Sequence, residues 1–111
     1  MSAIDFDQII KELVTGVESL AKDSLKDYEN EAKADGKALV DDTKADLLQW
    51  TKELETGSIN REDVVYLLQE DEDLGKMTAL KEAGLAQVRI DEFRNSVINL
   101  IVGTITGLVK I

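Results

Sequence analysis

The sequence predicts an all-α protein, an elongated helical bundle or hairpin with a very long first helix. The composition is the first reason: Pro is absent, aromatic residues make up 5% of the chain, and Leu, Ala, Lys, Glu and Asp dominate, which is typical of long helices rather than of sheets. The second reason is that apolar residues recur at a helical spacing along the first half of the chain and again along its last third. A chain of 111 residues is expected to form one domain, 1–111.

The first helix is predicted from a repeat of eleven residues. Its positions are Phe6, Val17, Tyr28, Leu39 and Trp50, then Ile10, Ala21, Ala32, Thr43 and Leu54, then Val14, Leu25, Gly36 and Leu47. Together these rows advance by about 3.67 residues per turn, close to the pitch of an α-helix, so they form one continuous stripe. We therefore predict one helix over about residues 6–55, roughly 75 Å long. A break near Asn30 or Gly36 is the alternative.

The second and third helices follow from breaker and capping residues. Gly57 is expected to end the first helix, and Ser58 or Asn60 can cap a short second helix over about residues 60–71. The acidic run 70–73 and Gly75 then predict a turn. A third helix is predicted over about residues 76–110. Its apolar stripe is Ala79, Ala83, Ala86, Ile90, Phe93, Val97, Ile101, Thr104 and Leu108.

The C-terminal stretch is apolar nearly all round, which indicates a helix buried in a bundle or in an interface. Gly103 and Gly107 form a Gly-x-x-x-Gly pair that allows two helices to approach closely. The candidate interface residues are Val97, Leu100, Ile101, Ile105, Leu108, Gly103 and Gly107. Some of these must contact the chain's own first helix and the others a further partner, so we expect a homo-oligomer, most simply a twofold dimer.

The repeat of eleven residues also permits an association with lipid. It is similar to the period of helices that lie on lipid surfaces, such as those of exchangeable apolipoproteins, synuclein and late-embryogenesis-abundant proteins. The resemblance covers half of the chain and identifies no family. Lys22, Lys33 and Lys44 keep the same step and could reach towards phosphates. The segment is acidic and its apolar face is thin, so a membrane-surface function is the less favoured alternative.

Charge and composition argue against several function classes. The net charge is −10, from 23 acidic and 13 basic residues, which opposes binding to nucleic acid and favours a basic protein partner. His is absent, so the commonest general base and the commonest metal ligand are missing. A calcium loop starting at Asp71 fails because Gly75 and Lys76 stand where the loop needs an oxygen ligand and then Gly. We expect no catalytic, metal-binding or cofactor-binding residues.

These observations predict a non-enzymatic assembly, scaffold or adaptor protein that acts through self-association and protein contacts. A small acidic inhibitor or immunity-type protein that binds a basic partner is a further alternative. The N-terminal residues show no basic region followed by an apolar run, as a secretory signal would. The expected location is therefore cytoplasmic.

Overall fold

The computed structural model of the protein describes residues 6–70 and 77–109, except for the side chains of residues 108 and 109. Its elements are helix α1 (Phe6–Ser24), a 3₁₀ turn (Lys26–Tyr28), α2 (Glu29–Thr56), α3 (Arg61–Glu70), α4 (Thr78–Glu82) and α5 (Gln87–Val109). No strand occurs within these two ranges. The predicted all-α class is confirmed.

The continuous first helix predicted over residues 6–55 is instead a helical hairpin. α1 ends at Ser24, and the 3₁₀ turn reverses the chain before α2 begins. The alternative of a break near Asn30, which gives two shorter helices, is therefore what the structure has, since Asn30 is the second residue of α2. Gly36, the other candidate, lies well inside α2. The turn is closed by two backbone hydrogen bonds, from the Leu25 N–H to the Ala21 carbonyl at 3.1 Å and from the Tyr28 N–H to the Leu25 carbonyl at 2.9 Å.

The end of α2 and the start of α3 follow the sequence prediction. Gly57 adopts a left-handed conformation with φ of 80°, and the Ser58 N–H donates to the Glu53 carbonyl at 2.8 Å, as in a Schellman motif. Asn60 then caps α3: its side-chain oxygen accepts the Asp63 N–H at 2.9 Å, and the Asp63 carboxylate accepts the Asn60 N–H at 2.9 Å. This reciprocal pair is a capping box.

The third helix predicted over residues 76–110 is in fact two helices, α4 and α5. The chain leaves α4 through Gly84, whose φ of 89° is costly for a residue with a Cβ. The Leu85 N–H donates to the Leu80 carbonyl at 3.1 Å, which completes the helix end. Ala83 and Ala86, assigned to the apolar stripe, are exposed at this break. From Ile90 to Thr104 the residues of the predicted stripe are buried or half-buried.

The core lies between α1, α2 and α5, and α3 packs on α5 while α4 packs on α2. α5 runs antiparallel to α1, since Leu100 lies against Gly16 and Phe93 lies near Leu25. The molecule measures 46 × 24 × 19 Å. Its length is close to that of α2, which at about 1.5 Å per residue spans roughly 42 Å.

Candidate functional site

The predicted interface residues on α5 fall into two groups. Val97, Ile101 and Ile105 are fully buried in the core of the single chain, so they are not available to a second copy in this fold. Leu100 is half-buried and lies over Gly16 of α1. The side chain of Leu108 lies outside the described residues.

Gly103 and Gly107 lie on the exposed side of the same helix. A Cβ built at either position would meet no atom within 4 Å, so a close approach from outside is open at both. They border a shallow groove of about 620 Å³ between the C-terminal half of α5 and the start of α3. The groove is lined by Asn60, Arg61, Glu62, Gly103, Thr106 and Gly107. We call it the α3–α5 groove.

The wall of the α3–α5 groove is fixed by the capping box at the start of α3. Asn60 and Asp63 bond to each other's backbone N–H groups, which holds the first turn of the helix in place. Arg61 and Glu62 between them are exposed, so the wall presents one cation next to one anion. On the α5 side, the Thr106 hydroxyl donates to the Val102 carbonyl at 2.8 Å. The groove therefore has polar and charged groups along its rim, and its two glycines leave the backbone of α5 uncovered.

The outer face of α3 is a second surface, which the sequence analysis did not single out. Tyr66 is 62% exposed and Leu67 is 39% exposed. Val64 and Leu68 are the residues of α3 that are fully buried. Asp63 and Glu70, on the same side as Tyr66 and Leu67, are exposed as well. The aromatic ring of Tyr66 and the aliphatic side chain of Leu67 are thus exposed to solvent, with carboxylates as neighbours.

Asp35 is a buried carboxylate that joins α2 to α4. It is 8% exposed and accepts the backbone N–H groups of Ala79 at 3.0 Å and Leu80 at 2.7 Å. These two N–H groups belong to the first turn of α4, where helical N–H groups lack partners within the helix. Met77 precedes α4 in a left-handed conformation with φ of 52° and offers no side-chain cap. Asp35 therefore caps α4 from another helix, which is a structural role.

No group of three or more His, Cys, Asp or Glu that could hold a metal ion occurs in ranges 6–70 and 77–109. The acidic turn predicted at 70–73 lies, apart from Glu70, outside the described residues, as does Gly75. Within the described helices, none combines the length and apolarity needed to cross a membrane.

A cleft of about 140 Å³ also lies where the turn of the hairpin meets the start of α5. It is lined by Ser24, Leu25, Arg89, Glu92, Phe93 and Ser96. Its volume is enough for a few water molecules. The described residues thus offer two surfaces for macromolecular contact, the α3–α5 groove and the outer face of α3.

No protein-family model, curated protein sequence or solved structure matches this chain.

Proposed function

We propose that the protein is a non-enzymatic helical assembly, scaffold or adaptor protein that acts through self-association, and that two copies pair across the α3–α5 groove. The observation that carries the proposal is the open helix surface at Gly103 and Gly107, where a Cβ would meet nothing within 4 Å. Glycines one turn apart allow helix backbones to pack closely. In a twofold pairing the same strip serves both copies.

The charges on the groove wall support a twofold pairing. In a twofold interface, residue i of one copy contacts residue j of the other, and the reverse contact is then made automatically. Arg61 and Glu62 are neighbours on the wall, so a twofold axis through the groove can place each arginine against the glutamate of the other copy. The net charge of −10 makes two copies repel each other in most orientations. The orientation that pairs Arg61 with the Glu62 of the other copy is therefore favoured over the others.

Sedimentation at micromolar concentration tests the proposal. The wild-type protein is expected to form a dimer, and Gly103→Leu is expected to be monomeric with an unchanged helical content, because the added side chain projects into open space. Ala38→Leu is the matched control: it adds an apolar side chain to an exposed position of α2 and should leave the dimer intact. A wild-type protein that stays monomeric at all concentrations would refute the proposal.

A charge swap tests the geometry of the pairing. Arg61→Glu and Glu62→Arg should each weaken the dimer, because each variant opposes like charges across the axis. The double variant restores opposite charges and should restore association. If the double variant is as weak as the single ones, Arg61 and Glu62 do not pair across a twofold axis.

The membrane-surface alternative has less support from the fold. The apolar stripe that would contact lipid includes Val17, Ala32, Leu39 and Leu47, all of which are buried within the chain. Lipid contact through this stripe would require α1 and α2 to separate from each other and from α5. The α3–α5 groove, in contrast, is accessible without any rearrangement.

A further inference from the structure

The outer face of α3 carries the exposed apolar side chains of Tyr66 and Leu67, which the core does not use. Tyr66 is 62% exposed and Leu67 is 39% exposed, whereas Val64 and Leu68 on the opposite side anchor the helix. Single exposed apolar residues are ordinary on protein surfaces. Here the two are adjacent on one short helix. Their position therefore offers a partner a compact apolar contact.

Carboxylates surround this pair on its own helix. Asp63 precedes Leu67 by four residues and Glu70 follows Tyr66 by four, and residues at this spacing are neighbours on a helix surface. Both are exposed. Between residues 62 and 70 the sequence contains no Lys or Arg. The cations at this helix are Arg61 at its start and Arg94 of α5, which donates to the Leu68 carbonyl at 3.5 Å. Glu62, Asp63 and Glu70 outnumber them, so the charge around Tyr66 is negative on balance.

We infer that this acidic and aromatic face of α3 is a docking surface for a basic protein segment. Tyrosine is among the residues enriched at the energetic centres of protein interfaces, where an apolar anchor is surrounded by a polar rim. The carboxylate rim and the net charge of −10 attract Lys and Arg and speed encounter with a basic partner. The same charges repel nucleic acids and anionic membranes. The inference does not depend on self-association through the α3–α5 groove.

A displayed library of random peptides, selected on the full-length wild-type protein, is the probe. Enriched peptides are expected to carry a net positive charge together with apolar residues. The peptide with the highest affinity is then synthesised and titrated into the wild type and into Tyr66→Ala. Binding to Tyr66→Ala should weaken by about tenfold or more, as truncation of an interface centre does. Binding should also weaken as NaCl shortens the range of the charges.

Two further variants separate the chemistry of the face from general effects. Glu70→Lys should weaken binding by reversing one charge, and Lys is favoured near the end of a helix, so the fold is retained. Val88→Ala removes another strongly exposed apolar side chain, 68% exposed at the start of α5, and should leave binding unchanged. Circular dichroism and melting temperature should be the same for wild type, Tyr66→Ala and Val88→Ala.

Three results would overturn the inference: the library yields no binder, the enriched peptides lack net positive charge, or the selected peptide binds Tyr66→Ala as tightly as wild type. If no peptide binds and Tyr66→Ala weakens association between copies of the chain, the face is a contact between copies instead.

Discussion

Asp35 is a charged residue that lies in the core of this helical protein. A carboxylate at this depth is costly unless hydrogen bonds replace its water, and the N–H groups of Ala79 and Leu80 do so at 3.0 and 2.7 Å. The helical spacing indicates that Asp35 points inward, because it shares the face of Ala32 and Leu39. The spacing does not reveal its hydrogen-bond partners, since the first turn of α4 is distant along the chain.

Asp35→Ala is expected to destabilise the protein by about 1–3 kcal/mol, because the buried N–H of Leu80 loses its acceptor. The melting temperature and the midpoint of urea unfolding report the loss, and hydrogen exchange should accelerate first at the amides of Ala79 and Leu80. Asp46→Ala, at an exposed position of the same helix, is the control and should change stability by less than about 0.5 kcal/mol. Equal effects of the two substitutions would show that Asp35 does not stabilise α4.

The hairpin of α1 and α2 shows what a helical repeat can and cannot predict. Every residue of the stripe predicted from Phe6 to Leu54 is buried or half-buried, so the repeat correctly identified the buried face. It did not identify what covers that face. The reversal between Ser24 and Glu29 preserves the repeat, because Leu25 is buried and Tyr28 is half-buried inside the turn itself. A straight helix and a tight hairpin therefore produce the same pattern.

Gly36 lies where the two helices of the hairpin come closest. From helix propensity alone, Gly36→Ala is expected to be neutral or stabilising unless close packing forbids a methyl group, and Gly36→Pro is expected to be severely destabilising. In the fold, a Cβ at Gly36 would collide with Cγ1 of Val17, a side chain that is stiff at χ1. Overpacking costs about 1–3 kcal/mol, and alanine regains about 1 kcal/mol of helix propensity. We expect Gly36→Ala to destabilise the protein by about 1 kcal/mol.

Measuring Gly36→Ala in the Val17→Ala variant separates the cost of overpacking from the gain in helix propensity. In Val17→Ala the obstructing methyl groups are gone, so Gly36→Ala should there stabilise the protein by about 1 kcal/mol. The four proteins form a double-mutant cycle that urea unfolding can measure. If Gly36→Ala has the same effect in both backgrounds, the two helices do not meet at this point.

At the scale of the whole molecule, repulsion between negative charges lowers the stability of the folded state. The described ion pairs include Glu29–Lys33 at 3.0 Å and Glu18–Lys37 at 3.9 Å, and all four side chains are at least 31% exposed. Exposed pairs of this kind contribute about 0–1 kcal/mol each. The excess of 23 acidic over 13 basic residues repels itself in the compact state more strongly than in the unfolded chain.

Salt is therefore expected to stabilise the monomer. NaCl screens the excess of negative charge and removes little from the exposed ion pairs, so the melting temperature should rise by about 4 °C or more for each 1 kcal/mol of repulsion relieved. The melting temperature should be measured at a protein concentration where sedimentation shows a monomer, because salt would also favour a dimer. The double variant Asp41→Lys and Asp42→Lys changes two exposed positions of α2. It should melt higher than wild type at low salt and gain less from added NaCl. A melting temperature that falls with NaCl would mean that attractive ion pairs outweigh the repulsion.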